Sequence, residues 1–146
     1  MRLGTFIFNC LTVAVLIAGP VMACTCAAPA TAAAGLQRSV AVFRGKVTAI
    51  HRPFWDWRGL STSGSQRVSF EVSKQWKGPP ATNVDVTTRL SGEACGFPFA
   101  KNHEYLVCVV SEPKDLQTGI CTGTKNVNEA GQEMRQLDEL VAGVNR

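Results

Sequence analysis

The stretch "VMACTCAAP", residues 21–29, places two cysteines, Cys24 and Cys26, one residue apart where an apolar N-terminal segment ends. The residues before Cys24 run from one positive charge through a mostly apolar segment to a Gly-Pro pair and then to the small residue Ala23. This order is typical of a secretory signal peptide, and the apolar run is shorter than the ~20 residues that a transmembrane helix needs. We therefore expect residues 1–23 to be a signal peptide and Cys24 to begin the mature chain.

Export changes how the remaining cysteines are interpreted. In an oxidising compartment, spaced cysteines form a disulfide framework more often than a metal site. Five of the six cysteines follow residue 23, and they are Cys24, Cys26, Cys95, Cys108 and Cys121. Because five is an odd number, at least one of them has no disulfide partner within the mature chain.

Length, charge and residue types exclude several classes of function. Without its first 23 residues the 146-residue chain keeps 123, the length of one domain with a buried core. The net charge of the full chain is +4, which is too mild to indicate nucleic acid as a partner. His51 and His103 lie far apart without ligand-spaced partners, and no Ser/His/Asp or Cys/His catalytic constellation is visible. We therefore expect no enzyme, no cofactor and no metal of the chain's own.

Alternation of apolar and polar residues predicts an all-β domain with flanking helices. We predict five strands, at residues 41–51, 67–78, 83–89, 104–111 and 116–121. A short helix over residues 31–39 precedes them, and a longer helix within residues 126–143, capped by Asn128, follows them. Lys74 interrupts the alternation of the second strand, so we expect a twist or a bulge before Trp76. Five short strands with long connections favour a small closed barrel over a two-sheet sandwich, which needs about seven strands.

A set of short motifs resembles the N-terminal domain of the tissue inhibitors of metalloproteinases, which is a netrin-like module. The motifs are "CTCAAP", "VFRGKV", "WKG", "EACGF", "YLV" and a late Cys-Thr, and their order and spacing match over about residues 24–124. Cys-Thr-Cys at the expected cleavage site is the most specific of them. The resemblance is to a short, prokaryote-type version without the second domain of the animal inhibitors. It implies a five-stranded Greek-key barrel of the OB-fold type over residues 24–146.

The resemblance also implies how the cysteines pair. Carried onto this chain, the family pattern gives the disulfides Cys24–Cys95 and Cys26–Cys121. Cys108 has no partner in that pattern and lies in an apolar stretch, so we expect a buried thiol that behaves as a small hydrophobe. Residues two apart in an extended segment point the same way, so both N-terminal cysteines can reach the barrel while Thr25 faces outward.

The function that the resemblance implies is inhibition of zinc endopeptidases. In that family the first residue of the mature chain, here Cys24, chelates the zinc of the protease through its α-amine and carbonyl oxygen. Thr25 would enter the specificity pocket of the protease, and Glu93 and Ala94 would make secondary contacts. A free α-amine has a pKa of about 7.7–8, so the neutral ligand is available near neutral pH. The zinc belongs to the partner.

Three aromatic residues, Phe54, Trp55 and Trp57, crowd the connection over residues 52–66. They could extend the binding surface as secondary contacts, or they could cap the end of the barrel as part of its core. Of these two interpretations we expect the core.

Two alternatives remain open at this point. One is a netrin-like binding or adhesion module with no inhibitory role. The other is a lipoprotein, because "VMAC" partly fits a bacterial lipobox. Lipid on Cys24 would block its sulfur and its amine, would leave four cysteines and would bring the chain to a membrane. Without lipid we expect a secreted or periplasmic monomer whose partner is a zinc endopeptidase.

Overall fold

In the part of the chain that the structure describes, five strands close into a barrel, with one helix before them and one after. The structure is a computed structural model that describes residues 24–26, 31–56, 58, 64–90, 95–111 and 115–144. The expected signal peptide, Trp57, Glu93 and Ala94 lie outside the described residues. In chain order the elements are α1 (Ala32–Arg38), β1 (Ala41–His51), a 3-10 turn (Phe54–Asp56), β2 (Ser65–Lys77), β3 (Asn83–Arg89), β4 (Glu104–Ser111), β5 (Leu116–Gln117), β6 (Lys125–Asn126) and α2 (Gly131–Val144).

The strand order closes the barrel. β1 pairs antiparallel with β2 along one edge and with β4 along the other, and β2 continues into β3. β5 bridges the remaining gap, because it pairs in parallel with β3 at Thr87 and Gln117 and antiparallel with β4. The order β1-β2-β3-β5-β4-β1 confirms the predicted barrel with flanking helices, and it is the arrangement of a five-stranded Greek-key OB-fold.

Aromatic rings fill the barrel interior in edge-to-face contact. The ring of Phe70 lies 5.6 Å from that of Phe43 and 5.2 Å from that of Phe99, and the Phe99 ring lies 4.9 Å from that of Tyr105. Such contacts add about 0.5–1.5 kcal/mol each to the burial of the rings themselves. Buried valines complete this core at positions 47, 68, 86, 107 and 109.

A second apolar cluster covers the outer face of β1 and β4. The helices supply Ala32 and Leu137, which pack with residues of the strands such as Val42 and Leu106. β4 therefore has apolar neighbours on both faces, which explains why "EYLVCVVS" shows no alternation. Among the described residues, no helix is long and apolar enough to cross a bilayer.

The ladder between β1 and β2 is irregular where the sequence predicts a twist or a bulge. Arg44 pairs with Lys74 and Gly45 with Val72, which leaves Ser73 as an extra residue. A second irregularity leaves Trp76 as the extra residue, and its indole N–H donates to Asp138 of α2 at 2.6 Å. The predicted twist or bulge before Trp76 is confirmed as a bulge, and the second irregularity places this indole against the C-terminal helix.

Two predicted boundaries are wrong. The fifth strand ends at Gln117 rather than at residue 121, because the chain then turns toward the N-terminal segment. α2 begins at Gly131 without an Asn128 cap, since residues 125–126 form β6 beside β4 and the side chain of Asn126 accepts from the backbone N–H of Asn128 in a turn. At α1 the Thr31 hydroxyl caps the helix by accepting from the Ala34 N–H at 3.2 Å.

Candidate functional site

Two disulfides fasten the Cys-Thr-Cys segment to the barrel. Cys24 is bonded to Cys95 with 5.5 Å between the Cα atoms, and Cys26 is bonded to Cys121 with 5.3 Å. The pairing that the family resemblance implies is therefore confirmed. Thr25 lies between the two anchors with its side chain exposed. We call residues 24–26 the N-terminal ridge.

The two bridges lie side by side. The sulfur atoms of Cys24, Cys95 and Cys121 are all within 4.8 Å of one another. Because each of them is already bonded to another sulfur, none offers a thiolate to a metal ion while the bridges are intact. At Cys24 the sulfur is thus committed to the bond with Cys95.

The barrel side of the first bridge depends on a close backbone contact. Cys95 has a φ of +61°, a conformation that non-glycine residues rarely adopt. Its carbonyl oxygen accepts a hydrogen bond from the N–H of Ile120 at 3.1 Å, directly beside Gly119. Two residues further on, the N–H of Phe97 donates to the hydroxyl of Thr88 on β3 at 2.9 Å. The segment of Cys95 is thus hydrogen-bonded both to β3 and to the residues that follow β5.

The barrel side of the second bridge rests on three threonines that the sequence analysis did not single out. The hydroxyl of Thr118 donates to the carbonyl of Cys108 at 2.9 Å and lies 2.7 Å from that of Thr124 and 3.1 Å from that of Thr122. Thr124 also accepts from the buried N–H of Cys108 at 3.0 Å. These hydroxyls satisfy backbone groups that a short β5 leaves unpaired, and so they fix the turn that carries Cys121.

Cys108 stays outside the disulfide framework, as expected. It is buried beneath α1, where a β-carbon at Gly35 would lie 3.3 Å from its sulfur. Burial raises the pKa of the Cys108 thiol to about 11, and the nearby Ser39 side chain opposes that shift only in part. A protonated, enclosed thiol does not attack the neighbouring bridges, because the thiolate is the nucleophile.

Two of the three aromatic residues in the first long connection, Phe54 and Trp55, are not part of the core. Phe54 is 91% exposed and Trp55 is 51% exposed, so the core interpretation is wrong for both. The rings of Phe97, Phe99 and Tyr105 already occupy the interior. At the 3-10 turn it is the carboxylate of Asp56, only 4% exposed, that points inward.

A salt bridge helps to hold that turn in place. Asp56 accepts from the guanidinium of Arg52 at 3.1 Å, and its backbone N–H donates to the carbonyl of Pro53 at 2.9 Å. With the acid turned inward and held there, the turn presents Phe54 and Trp55 to solvent. The indole of Trp55 also covers Gly64, where a β-carbon would come within 3.1 Å of the ring.

No model of a known protein family matches this chain, and no curated protein matches it either. Of the five predicted site residues other than the bridged cysteines, the described part of the chain places Thr25 and Trp55 on the surface. Trp57, Glu93 and Ala94 stay predictions, as they lie outside the described residues.

Proposed function

We propose that the mature chain is an exported inhibitor of zinc endopeptidases. The α-amine and carbonyl oxygen of Cys24 chelate the zinc of the protease, and Thr25 enters its specificity pocket. The observation that supports this proposal is the double anchorage of residues 24–26, which leaves Thr25 exposed between two disulfides.

The chemistry depends on the backbone of the first residue. A catalytic zinc has three protein ligands and keeps a further position for water. An α-amine and the carbonyl oxygen of the same residue form a five-membered chelate, and a chelate at that position displaces the water that hydrolysis needs. The Cys24 sulfur is bonded to Cys95, so it does not compete with the nitrogen and oxygen as a ligand.

Rigidity determines whether such a short ridge can inhibit. Ordering a floppy terminus on binding costs affinity, and a segment already held in its bound form avoids that cost. The two bridges span 71 and 95 residues of sequence, so each strongly restricts the unfolded chain as well. The same two bonds therefore stabilise the fold and prepare the ridge for binding.

The test begins with the natural N-terminus. The chain is expressed with its own leader in an exporting host, and N-terminal sequencing with intact mass establishes whether it starts at an unmodified Cys24. The purified protein is then titrated against a panel of zinc endopeptidases. The matched control carries one additional alanine before Cys24, which leaves both bridges intact but removes the α-amine from the chelating position.

The proposal expects inhibition by the natural chain and a loss of at least about 100-fold in the extended chain, because the chelate is then lost. Equal inhibition by both chains would show that chelation is not the mechanism. A mass increased by lipid at Cys24, or no inhibition of any protease in the panel, would favour a membrane-anchored or purely adhesive module instead.

A further inference from the structure

The end of the barrel where β1 stops and β2 begins carries exposed aromatic and basic residues that have no role in the proposed inhibition. Phe54 and Trp55 lie there, exposed, next to three cationic or titratable side chains at strand ends. His51 ends β1 and pairs with Arg67 of β2, while Arg89 ends β3 and pairs with Ser65. We call Phe54, Trp55, His51, Arg67 and Arg89 the aromatic–basic end.

These residues occupy one side of the sheet. Along β2, buried Gln66 and Val68 point inward, so Arg67 between them points outward. The same alternation on β3 buries Val86 and Thr88 and leaves Arg89 on the outer face. Arg89 is two residues beyond Thr87, the partner of Arg67 in the ladder, and so both guanidinium groups lie on neighbouring strands of one face.

Charge is unevenly distributed along that face. Asp85 and Glu71 are its acidic residues on β3 and β2, and they lie further along the strands, away from Phe54. The acid nearest the aromatic pair, Asp56, is buried and bound to Arg52. Among the described residues, neither Arg67 nor Arg89 forms an ion pair. Within the described part of the chain, the aromatic–basic end therefore carries positive charge that no acidic side chain balances.

We propose that the aromatic–basic end docks the protein on an anionic lipid surface, with Phe54 and Trp55 entering the interfacial region and the two arginines contacting headgroup phosphates. A fully exposed phenylalanine beside a tryptophan and flanked by arginines is the composition of interfacial anchors. Anionic headgroups supply the complementary charge, because basic side chains near the membrane surface are attracted to them. This docking needs no lipid on Cys24 and does not depend on the inhibitory mechanism.

An acidic polymer is the competing partner, because aromatic side chains and arginines also bind single-stranded nucleic acids. Stacking of that kind uses ring faces that track an extended groove. Here the Trp55 indole rests against Gly64, and the ring of Phe54, which is 91% exposed, stands next to it on a single turn. One protruding apolar turn fits insertion into an interface better than it fits a groove.

The experiment uses the mature, disulfide-bonded chain with Cys24 shown by mass to be unmodified. Sedimentation with phosphatidylcholine vesicles is compared with sedimentation on vesicles that also contain phosphatidylglycerol. We expect binding to the anionic vesicles alone and weaker binding as salt is raised, because salt screens the attraction. Phe54→Ala with Trp55→Ala, and separately Arg67→Glu with Arg89→Glu, should each weaken the partition by at least about tenfold.

Control substitutions come from α2, which packs near Val42 at the start of β1, whereas His51 of the aromatic–basic end lies at the end of that strand. Val144→Ala removes an apolar side chain that is 85% exposed on α2, and Arg135→Glu reverses an exposed charge on the same helix, so both should bind as the natural chain does. Equal binding to neutral and anionic vesicles, or full binding by the aromatic and charge variants, would overturn the proposal. So would binding to heparin or single-stranded DNA that is lost in these variants while vesicle binding is absent.

Discussion

The carbonyl oxygen of Cys95 lies so close to Gly119 that a β-carbon at position 119 would stand 2.3 Å from it. This contact joins the chain segment that carries the first disulfide to the segment that carries the second. Ile120 strengthens the junction, because its N–H donates to the same oxygen. The two anchors of the N-terminal ridge thus share one backbone contact, and the side chain at position 119 decides whether it can form.

Gly119→Ala should therefore destabilise the protein. The new methyl group cannot stay 2.3 Å from an oxygen, so the segment of Cys95 or that of Cys121 must shift. We expect the free energy of unfolding to fall by about 1–3 kcal/mol, as for other overpacked sites. Denaturant unfolding at neutral pH measures this change.

Gly143→Ala is the matched control for that substitution. A β-carbon at position 143 meets nothing within 4 Å and lies in the last turn of α2. The free energy of unfolding of the Gly143→Ala protein should be unchanged or slightly higher, since alanine favours a helix more than glycine does. If the two alanine variants are equally stable, the contact between Cys95 and Gly119 does not constrain the fold.

Thr124→Val should also be destabilising, for a different reason. Thr124 is 3% exposed, and its hydroxyl accepts from the N–H of Cys108 and bonds to Thr118. Valine has nearly the same shape but leaves that buried N–H without an acceptor. The expected loss is about 1–3 kcal/mol in the free energy of unfolding.

A threonine on the surface provides the comparison. The Thr48 hydroxyl donates to the carbonyl of Ser69 at 3.1 Å in an exposed position, where water can replace it. Thr48→Val should change the free energy of unfolding by no more than about 0.5 kcal/mol. A loss as large as that of Thr124→Val would show that burial of the hydroxyl cluster is not what matters.

Cys108 should make stability depend on pH in the alkaline range. Burial raises its pKa to about 11 from an ordinary value of 9.0. Below pH 9 the thiol is protonated in both the folded and the unfolded chain. Between the two pKa values the unfolded chain loses the proton while the folded chain keeps it, so the free energy of unfolding falls as pH rises and levels off above about 11.

The measurement is a difference between two proteins. Denaturant unfolding of the natural chain and of Cys108→Ala is followed from neutral pH to about pH 11, which is the raised pKa of the Cys108 thiol. Other groups titrate in both proteins and cancel, so the gap between the two curves should narrow or reverse with rising pH. Parallel curves would mean that the thiol is not shielded from solvent as the structure shows it.

The sequence predicts most of the barrel because its strands alternate around a single apolar interior. Val68 and Phe70 follow that rule, and β4 departs from it because helices cover its outer face. The predicted length of the fifth strand is wrong for a physical reason. Leu116, Thr118 and Ile120 alternate as a strand would, but the chain turns after Gln117, and the Thr122 hydroxyl donates to the nearby carbonyl of Gly119 in that turn.

The candidate site, too, can be predicted from the sequence only in part. The cysteine pairs follow from a family pattern, since sequence separation alone does not choose between partners. The position of Cys95 at positive φ and its contact with Gly119 depend on how two distant segments meet, which no local pattern encodes. Nor does composition reveal that Phe54 faces solvent, because an aromatic cluster in a connection is compatible with a core or with a surface.

The second bridge should support both the stability of the fold and the proposed inhibition. Cys26→Ser combined with Cys121→Ser leaves Cys24 bonded to Cys95 but releases the other end of the N-terminal ridge. The free energy of unfolding should fall by about 2–4 kcal/mol, because a bridge over a long loop is lost. Inhibition of a sensitive zinc endopeptidase should weaken by at least about tenfold, since the residues after Cys24 must now be ordered on binding. Cys108→Ala, which removes a sulfur without removing a bridge, should keep its inhibition; a double serine variant that inhibits as well as the natural chain would show that the second bridge serves stability alone.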